Sequence, residues 1–221
     1  MLDIMLDLET MGVGPKAAII AIGAVEFDVN AGEIGARFYR NVDLESSMRS
    51  GCEIDAPTML WWLRQSEEAR AMFSKEIPTP LPQALCDFSQ WVSLCGKPEE
   101  VLVWGNGASF DNVILSSAYK ATGLIQPWGR SNDRCYRTVK AQHPTVKLVR
   151  VGTHHNAADD AESQARHMIA MLYKGPQSDN SMQRSILEAG IEKWDKLQGQ
   201  DQPVYTLGYN RPPPTRRYSN D

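Results

Sequence analysis

Cysteine is scarce in this chain, long apolar runs and any surplus of positive charge are missing, and each shortage narrows what it is. The four cysteines, Cys52, Cys86, Cys95 and Cys135, are separated by 34, 9 and 40 positions. That spacing suits neither a zinc site nor a dense disulfide framework, so they read as reduced cytosolic thiols. The longest apolar stretch, 17–25, falls well short of the roughly 18 to 20 residues a membrane span needs. The opening MLDIMLDLE carries acids and no base, unlike a secretory signal. The expectation is a soluble, cytoplasmic protein with no membrane contact. Positive charge is in deficit, with 23 Lys+Arg against 27 Asp+Glu and a net charge of -4. Bulk charge therefore gives no grip on nucleic acid, which would need local basic patches or bound cations.

What is present is the material of a folded domain. The 221 residues are 42% hydrophobic, and a chain of that length buries roughly 70% or more of its unfolded surface without staples. Segments 2–8, 17–29 and 34–42 read as consecutive strands, joined by turns at 12–15 and 30–32. Helical patterns follow at 57–72 and 81–94, then a short buried strand at 101–104 and helices at 110–121 and 157–174. The first connections are too short for parallel crossovers, so the expected fold class is α/β with a mixed central sheet flanked by helices. Residues 1–174 form the expected main domain. Residues 175–200 read as a linker and an extra amphipathic helix whose Leu187, Ile191 and Trp194 would serve a homodimer, and 201–221 as a Pro/Arg-rich flexible tail.

Three groups of residues carry chemistry. Asp7 and Glu9 stand two apart on a strand, which puts both carboxylates on one face while Leu6 and Leu8 turn the other way. Adjacent carboxylates repel unless a cation lies between them, and oxygen ligands favour Mg²⁺ or Mn²⁺. Next, Asn106-Gly-Ala-Ser-Phe110-Asp111 is a glycine-bearing loop that leads from a strand into a helix, with Asp111 in its first turn. There Asp111 also suits the helix dipole. Last comes His155-Asn-Ala-Ala-Asp159-Asp160. A fully helical His155 would stand about 140° away from Asp160. With Asn156 as N-cap, His155 sits just outside the helix, Asp159 takes a capping position and Asp160 faces inward. His154 reads as a bystander.

The D7-x-E9-T, N-x3-F-D111 and H155-x4-D160-A motifs resemble, in order and separation, the three motifs of the DEDDh exonucleases. The LDLETMG start, the TMLWWLRQSEEAR helix and WGNGASFDN are similar to a smaller group of phage-type 3'-5' exonucleases and related bacterial exoribonucleases. The resemblance covers about residues 1–174. It implies a ribonuclease H-like fold and hydrolysis of phosphodiester bonds from the 3' end of single-stranded nucleic acid, DNA slightly favoured, with release of 5'-mononucleotides. Asp7, Glu9, Asp111 and Asp160 would then hold two divalent cations, Mg²⁺ or Mn²⁺, and His155 would be the general base.

Contacts to a single-stranded DNA or RNA 3' end are expected from several further residues. One of Trp61 and Trp62 stacks on a terminal base while the other is core, since neighbours on a helix point about 100° apart. Met11 is a candidate wedge, and Asn106 and Phe110 line the motif loop. The stretch from Arg134 to Arg150, with Arg134, Arg137, Lys140, Lys147 and Arg150 and no acid, is a candidate phosphate-binding segment. Competing readings are an exoribonuclease on the same site, a non-catalytic module for nucleic-acid ends, and a hydrolase of small phosphate esters. A dinucleotide-binding reading of Gly12-x-Gly14-x-x-Ala17 fails, because a strand follows where a helix is required and Asp7 and Glu9 would repel a pyrophosphate.

Overall fold

The computed structural model describes residues 1–74 and 77–173. They fall within one unit, Met1–Pro176, and the expected linker, extra helix and tail lie outside the described residues. The chain opens with three strands, β1 (Leu2–Thr10), β2 (Ile19–Asp28) and β3 (Glu33–Asn41). Short helices α1 (Leu44–Arg49), α2 (Ala56–Trp62) and α3 (Glu67–Arg70) follow, the last running into a 3-10 turn at Ala71–Phe73. Then come α4 (Leu81–Cys95), β4 (Val101–Gly105), α5 (Asp111–Thr122), β5 (Asp133–Cys135), α6 (Tyr136–Gln142) and α7 (Ala157–Leu172).

The five strands order as β3-β2-β1-β4-β5. β1 pairs antiparallel with β2 and parallel with β4, so the sheet is mixed as expected. Its central strand is β1, and the pleat gives each face a separate core. Ile4, Leu6 and Leu8 join Leu85, Phe88 and Leu115 of α4 and α5 on one side, while Met5 meets Ala161, Ala165 and Met168 of α7 on the other. Asp7 and Glu9 thus emerge on the α7 side at the end of an otherwise apolar strand.

The approach of α7 to the sheet depends on Gly23. This residue of β2 lies opposite Asp7 in the ladder, and a Cβ there would come 2.1 Å from the backbone carbon of Ala157. The missing side chain lets the first turn of α7 rest directly on β2 beside Asp7. Asn156 caps that turn, its side-chain oxygen accepting from the N–H groups of Ala158 and Asp159 at 3.1 and 3.2 Å.

The structure departs from the expected elements in three places. The helical pattern at 57–72 divides into α2 and α3, because Ser66 caps a new helix by accepting from the N–H of Ala69. The segment 44–49 is helical, capped by Asp43. The basic stretch begins as β5 and α6 rather than as an undivided segment.

Candidate active site

The end of β1, the start of α5 and the first turns of α7 converge on a cavity of about 260 Å³. Glu9, Asp111 and Asp160 are buried there, at 6%, 3% and 8% exposure. One oxygen each from Asp7, Glu9 and Asp160 lie within 4.8 Å of one another. Asp111 shares the wall but stands outside that trio, its Oδ1 accepting from the N–H of Leu8 at 3.2 Å. All four acids expected from the sequence therefore meet, three of them at ligand-sharing distance.

The electrostatics of this cluster are those of a cation site. Burial, reinforced by Asp111, Glu9 and Asp160, holds the Asp7 carboxyl well above its usual range. Burial and the charges of Asp160 and Asp111 push Glu9 up to about 8. Asp111 rises to about 6, chiefly through burial and against the N–H groups that bond it. The Oε1 atom of Glu9 is buried without a hydrogen-bond partner, an arrangement that costs free energy unless something positive meets it. The donor set is oxygen only, which fits a hard divalent ion such as Mg²⁺ or Mn²⁺.

Two further residues complete this wall, Gln164, which the sequence reading missed, and Arg150, which it placed only in the basic stretch. Gln164, one helical turn beyond Asp160, donates from Nε2 to Asp7 Oδ1 at 2.7 Å. The i, i+4 spacing from Asp160 was the available signal. Arg150 NH1 donates to Asp160 Oδ1 at 2.5 Å, placing a fixed positive charge against the acids.

His155 leads into α7 with φ of 65°, a left-handed conformation. Its N–H donates to Asp160 Oδ2 at 3.0 Å, so the carboxylate that faces the cluster also fixes the histidine backbone. The ring meets Trp61 edge-on with centroids 4.9 Å apart and lies 3.7 Å from that of His154. Burial, with the neighbouring His154, keeps its pKa below the ordinary value, so the ring is neutral and able to accept a proton at neutral pH. Asp159 does not close a capping box. Its Oδ2 accepts from the N–H of Thr153 at 2.7 Å, and its Oδ1 pairs with Arg37 on β3.

Beside the acids lies a second cavity of about 420 Å³, lined by Leu8, Gly12, Pro57, Trp61, Trp62 and Phe110. Trp61 is 42% exposed there, whereas Trp62 is 3% exposed with its Nε1 donating to Thr10 O at 2.9 Å. The pair divides, one indole at the surface and one in the core. Asn106, Phe110 and Arg137 all line the acidic cavity, and Arg137 NH2 donates to Asn106 O at 2.5 Å.

Two expectations need correction. Met11 is 7% exposed and packs with Ala18, Ile20 and Trp62. Its open side looks into a separate apolar cavity shared with Leu44 and Phe73, because the turn after β1 folds it under α2. Arg134 turns back on its own loop, NH1 donating to the carbonyls of Ser131 and Asp133 at 2.9 Å. The guanidinium groups that line the acidic cavity are those of Arg137 and Arg150.

Over 126 residues the chain is 31% identical to an exodeoxyribonuclease of Enterobacteria phage T4, across 52% of this chain and 54% of that protein. The likeness thus spans about half the length of that relative. Among solved structures, the nuclease domain of 3'hExo, a DEDDh family member bound to rAMP, aligns with 79% of this chain and 92% of its own at TM-score 0.54 and 17% identity. Exonuclease I of E. coli, in complex with a dT13 oligonucleotide, aligns with 85% of this chain and 43% of its own at TM-score 0.50 and 12% identity. At those identities the likeness establishes the fold, which is ribonuclease H-like. Residues 2–172 match the family model described as the 3'-5' exoribonuclease Rv2179c-like domain, and the chain therefore belongs to that family of 3'-5' exonucleases.

Proposed function

We propose that the protein is a metal-dependent 3'-5' exonuclease that shortens single-stranded nucleic acid from its 3' end and releases 5'-mononucleotides. The observation that carries this reading is the trio of half-buried Asp7 and buried Glu9 and Asp160, with oxygens within 4.8 Å of one another. Together with Asp111, these residues would hold two divalent cations, Mg²⁺ or Mn²⁺. Such ions, when bound, supply a Lewis acid for the phosphodiester and a water of lowered pKa. The protein's own part is positional and proton-handling. His155, neutral and tethered through its N–H to Asp160, takes the proton of the attacking water at a ring nitrogen. Gln164 fixes the rotation of the Asp7 carboxylate.

Substrate contacts divide between the two cavities. The terminal base enters the apolar cavity against Trp61, with Trp62 and Phe110 behind it. The phosphates meet Arg137 and Lys140 on α6. An exonuclease acting on 3' ends needs this order of parts, an aromatic floor for the last base beside the acids and positive charge along the strand that precedes it.

DNA is the preferred polymer in this reading, resting on the exodeoxyribonuclease relative. A second reading, RNA, rests on the family description and uses the same acids. The test is a gel time course on 5'-labelled single-stranded DNA and RNA of one sequence, with Mg²⁺, Mn²⁺ or EDTA, for the wild type and Asp7→Ala. A ladder shortening from the 3' end, absent in EDTA and in the variant, is expected, and the faster polymer identifies the substrate. Tight binding of 3' ends without any ladder would instead favour a non-catalytic end-binding module. Among the described residues no helix is long and apolar enough to cross a membrane.

A further inference from the structure

One cluster next to the acids has a different chemistry from theirs. His154, His155 and Asp160 each present a ligand atom, and these atoms lie within 4.8 Å of one another. Successive side chains on an extended segment point to opposite sides. Here the left-handed backbone at His155, φ 65°, turns the chain between them, and the two imidazoles face each other with centroids 3.7 Å apart and planes inclined by 35°. A non-glycine residue keeps that conformation only where its surroundings impose it. The imposing contacts are the bond from the His155 N–H to Asp160 Oδ2 at 3.0 Å, the bond from the Asn156 N–H to Thr153 O at 3.1 Å and the edge of Trp61. His154 is exposed, which gives an ion a path from solvent.

We infer that His154, His155 and Asp160 form a binding site for a borderline-soft transition-metal ion, Zn²⁺ first, separate in chemistry from the oxygen-only set. Imidazole nitrogen selects Zn²⁺, Ni²⁺ and Cu²⁺, whereas carboxylates without nitrogen suit Mg²⁺ and Mn²⁺. Two nitrogens and one carboxylate oxygen are three of the four ligands a tetrahedral zinc ion takes, and the fourth position is left to water. An ion held there occupies the lone pair His155 needs as a base and draws on Asp160, which the acid cluster also needs. The site is therefore inhibitory. That consequence rests on the proposed nuclease reading, while the binding itself does not.

The experiment uses the full chain stripped of metal. Zn²⁺ alone is titrated in competition with a chromogenic chelator, and Co²⁺ absorbance reports nitrogen coordination, for the wild type and His154→Ala. The variant should bind at least about tenfold more weakly, and an unchanged melting temperature without metal would show that it folds normally. Exonuclease rates are then taken at saturating Mg²⁺ with and without Zn²⁺ and expressed as a ratio for each protein. Strong inhibition of the wild type and little of His154→Ala is expected. Equal Zn²⁺ affinity in the two proteins would overturn the site, because zinc would then be sitting among the carboxylates. Weakened binding with undiminished inhibition would overturn the inhibitory role. A wild type with no nuclease activity would sink the functional reading and leave the titration to decide the site by itself.

Discussion

The two walls of the candidate active site are built from opposite materials. The acidic wall comes from β1, α5 and α7, regular elements that bury Glu9, Asp111 and Asp160. The basic flank, Arg137, Lys140 and Arg150, comes from the seven-residue α6 and the irregular chain after it, and all three are exposed. Burial converts like charge into repulsion that a bound cation or added protons must relieve, while exposed charge is screened and acts in small increments. The acidic wall should therefore fail abruptly when altered, and the basic flank gradually.

The largest expected effect is on the acidic side. Glu9→Gln keeps the shape and removes the charge, and it should lower the exonuclease rate by roughly a hundredfold or more. In EDTA at pH 9 the same variant should melt higher than the wild type, since the buried charge is gone. A variant as active as the wild type would break the contrast between the walls. Next in size is the split between the tryptophans. Trp62→Ala empties a buried site and strands the Thr10 carbonyl, costing about 3–5 kcal/mol in chemical denaturation. Trp61→Ala should leave stability alone and raise KM by roughly 5- to 150-fold, the equivalent of about 1–3 kcal/mol of stacking on one base.

A smaller effect separates metal-free from metal-loaded protein. Glu9 ionises near 8 in the folded state against 4.5 in the unfolded chain, and Asp111 near 6 against 3.8. The folded protein thus holds the extra protons, and the stability they confer is complete below the unfolded values and drains away as pH rises through the folded ones. In EDTA the melting temperature should fall between about pH 5 and pH 8, and Mg²⁺ should flatten that fall. A curve that declines equally with and without Mg²⁺ would mean that the acids are not where the ion binds. The smallest effect belongs to the basic flank. Arg137→Gln should raise KM only a few-fold at low salt and reduce the salt slope of binding by about one.

Much of the acidic wall is legible in the sequence because it is written in local periodicity. A period of two sets Asp7 beside Glu9, and an Asn cap followed by a helical pattern turns Asp160 inward. The basic flank is not written that way. β5 is three residues long, and it is held by Asn112 Nδ2 and Trp128 Nε1, which both donate to Asp133 Oδ1, at 2.8 and 3.0 Å. Those contacts are tertiary and leave no pattern in the chain. Arg134 and Arg137 look equivalent as letters, yet α6 delivers only Arg137 to the cavity. Met11 was ambiguous for the same reason, since the burial of a turn residue depends on which helix later covers it. The break between α2 and α3 was missed although its signal is local, since Ser66 ahead of Glu67 and Glu68 is a capping pattern within an otherwise helical run.

The hydrogen bond from Gln164 to Asp7 closes a separation of 157 positions, and this has a bearing on when the protein can act. As this domain is synthesised, Asp7 and Glu9 leave the ribosome well before Asp111. Asp160, Gln164 and the histidine that precedes them arrive only after nearly the whole domain has been made. Until α7 docks over Gly23, the first acids are solvated, apart from one another and without a base. In the proposed nuclease, hydrolysis is thus timed by the completion of folding.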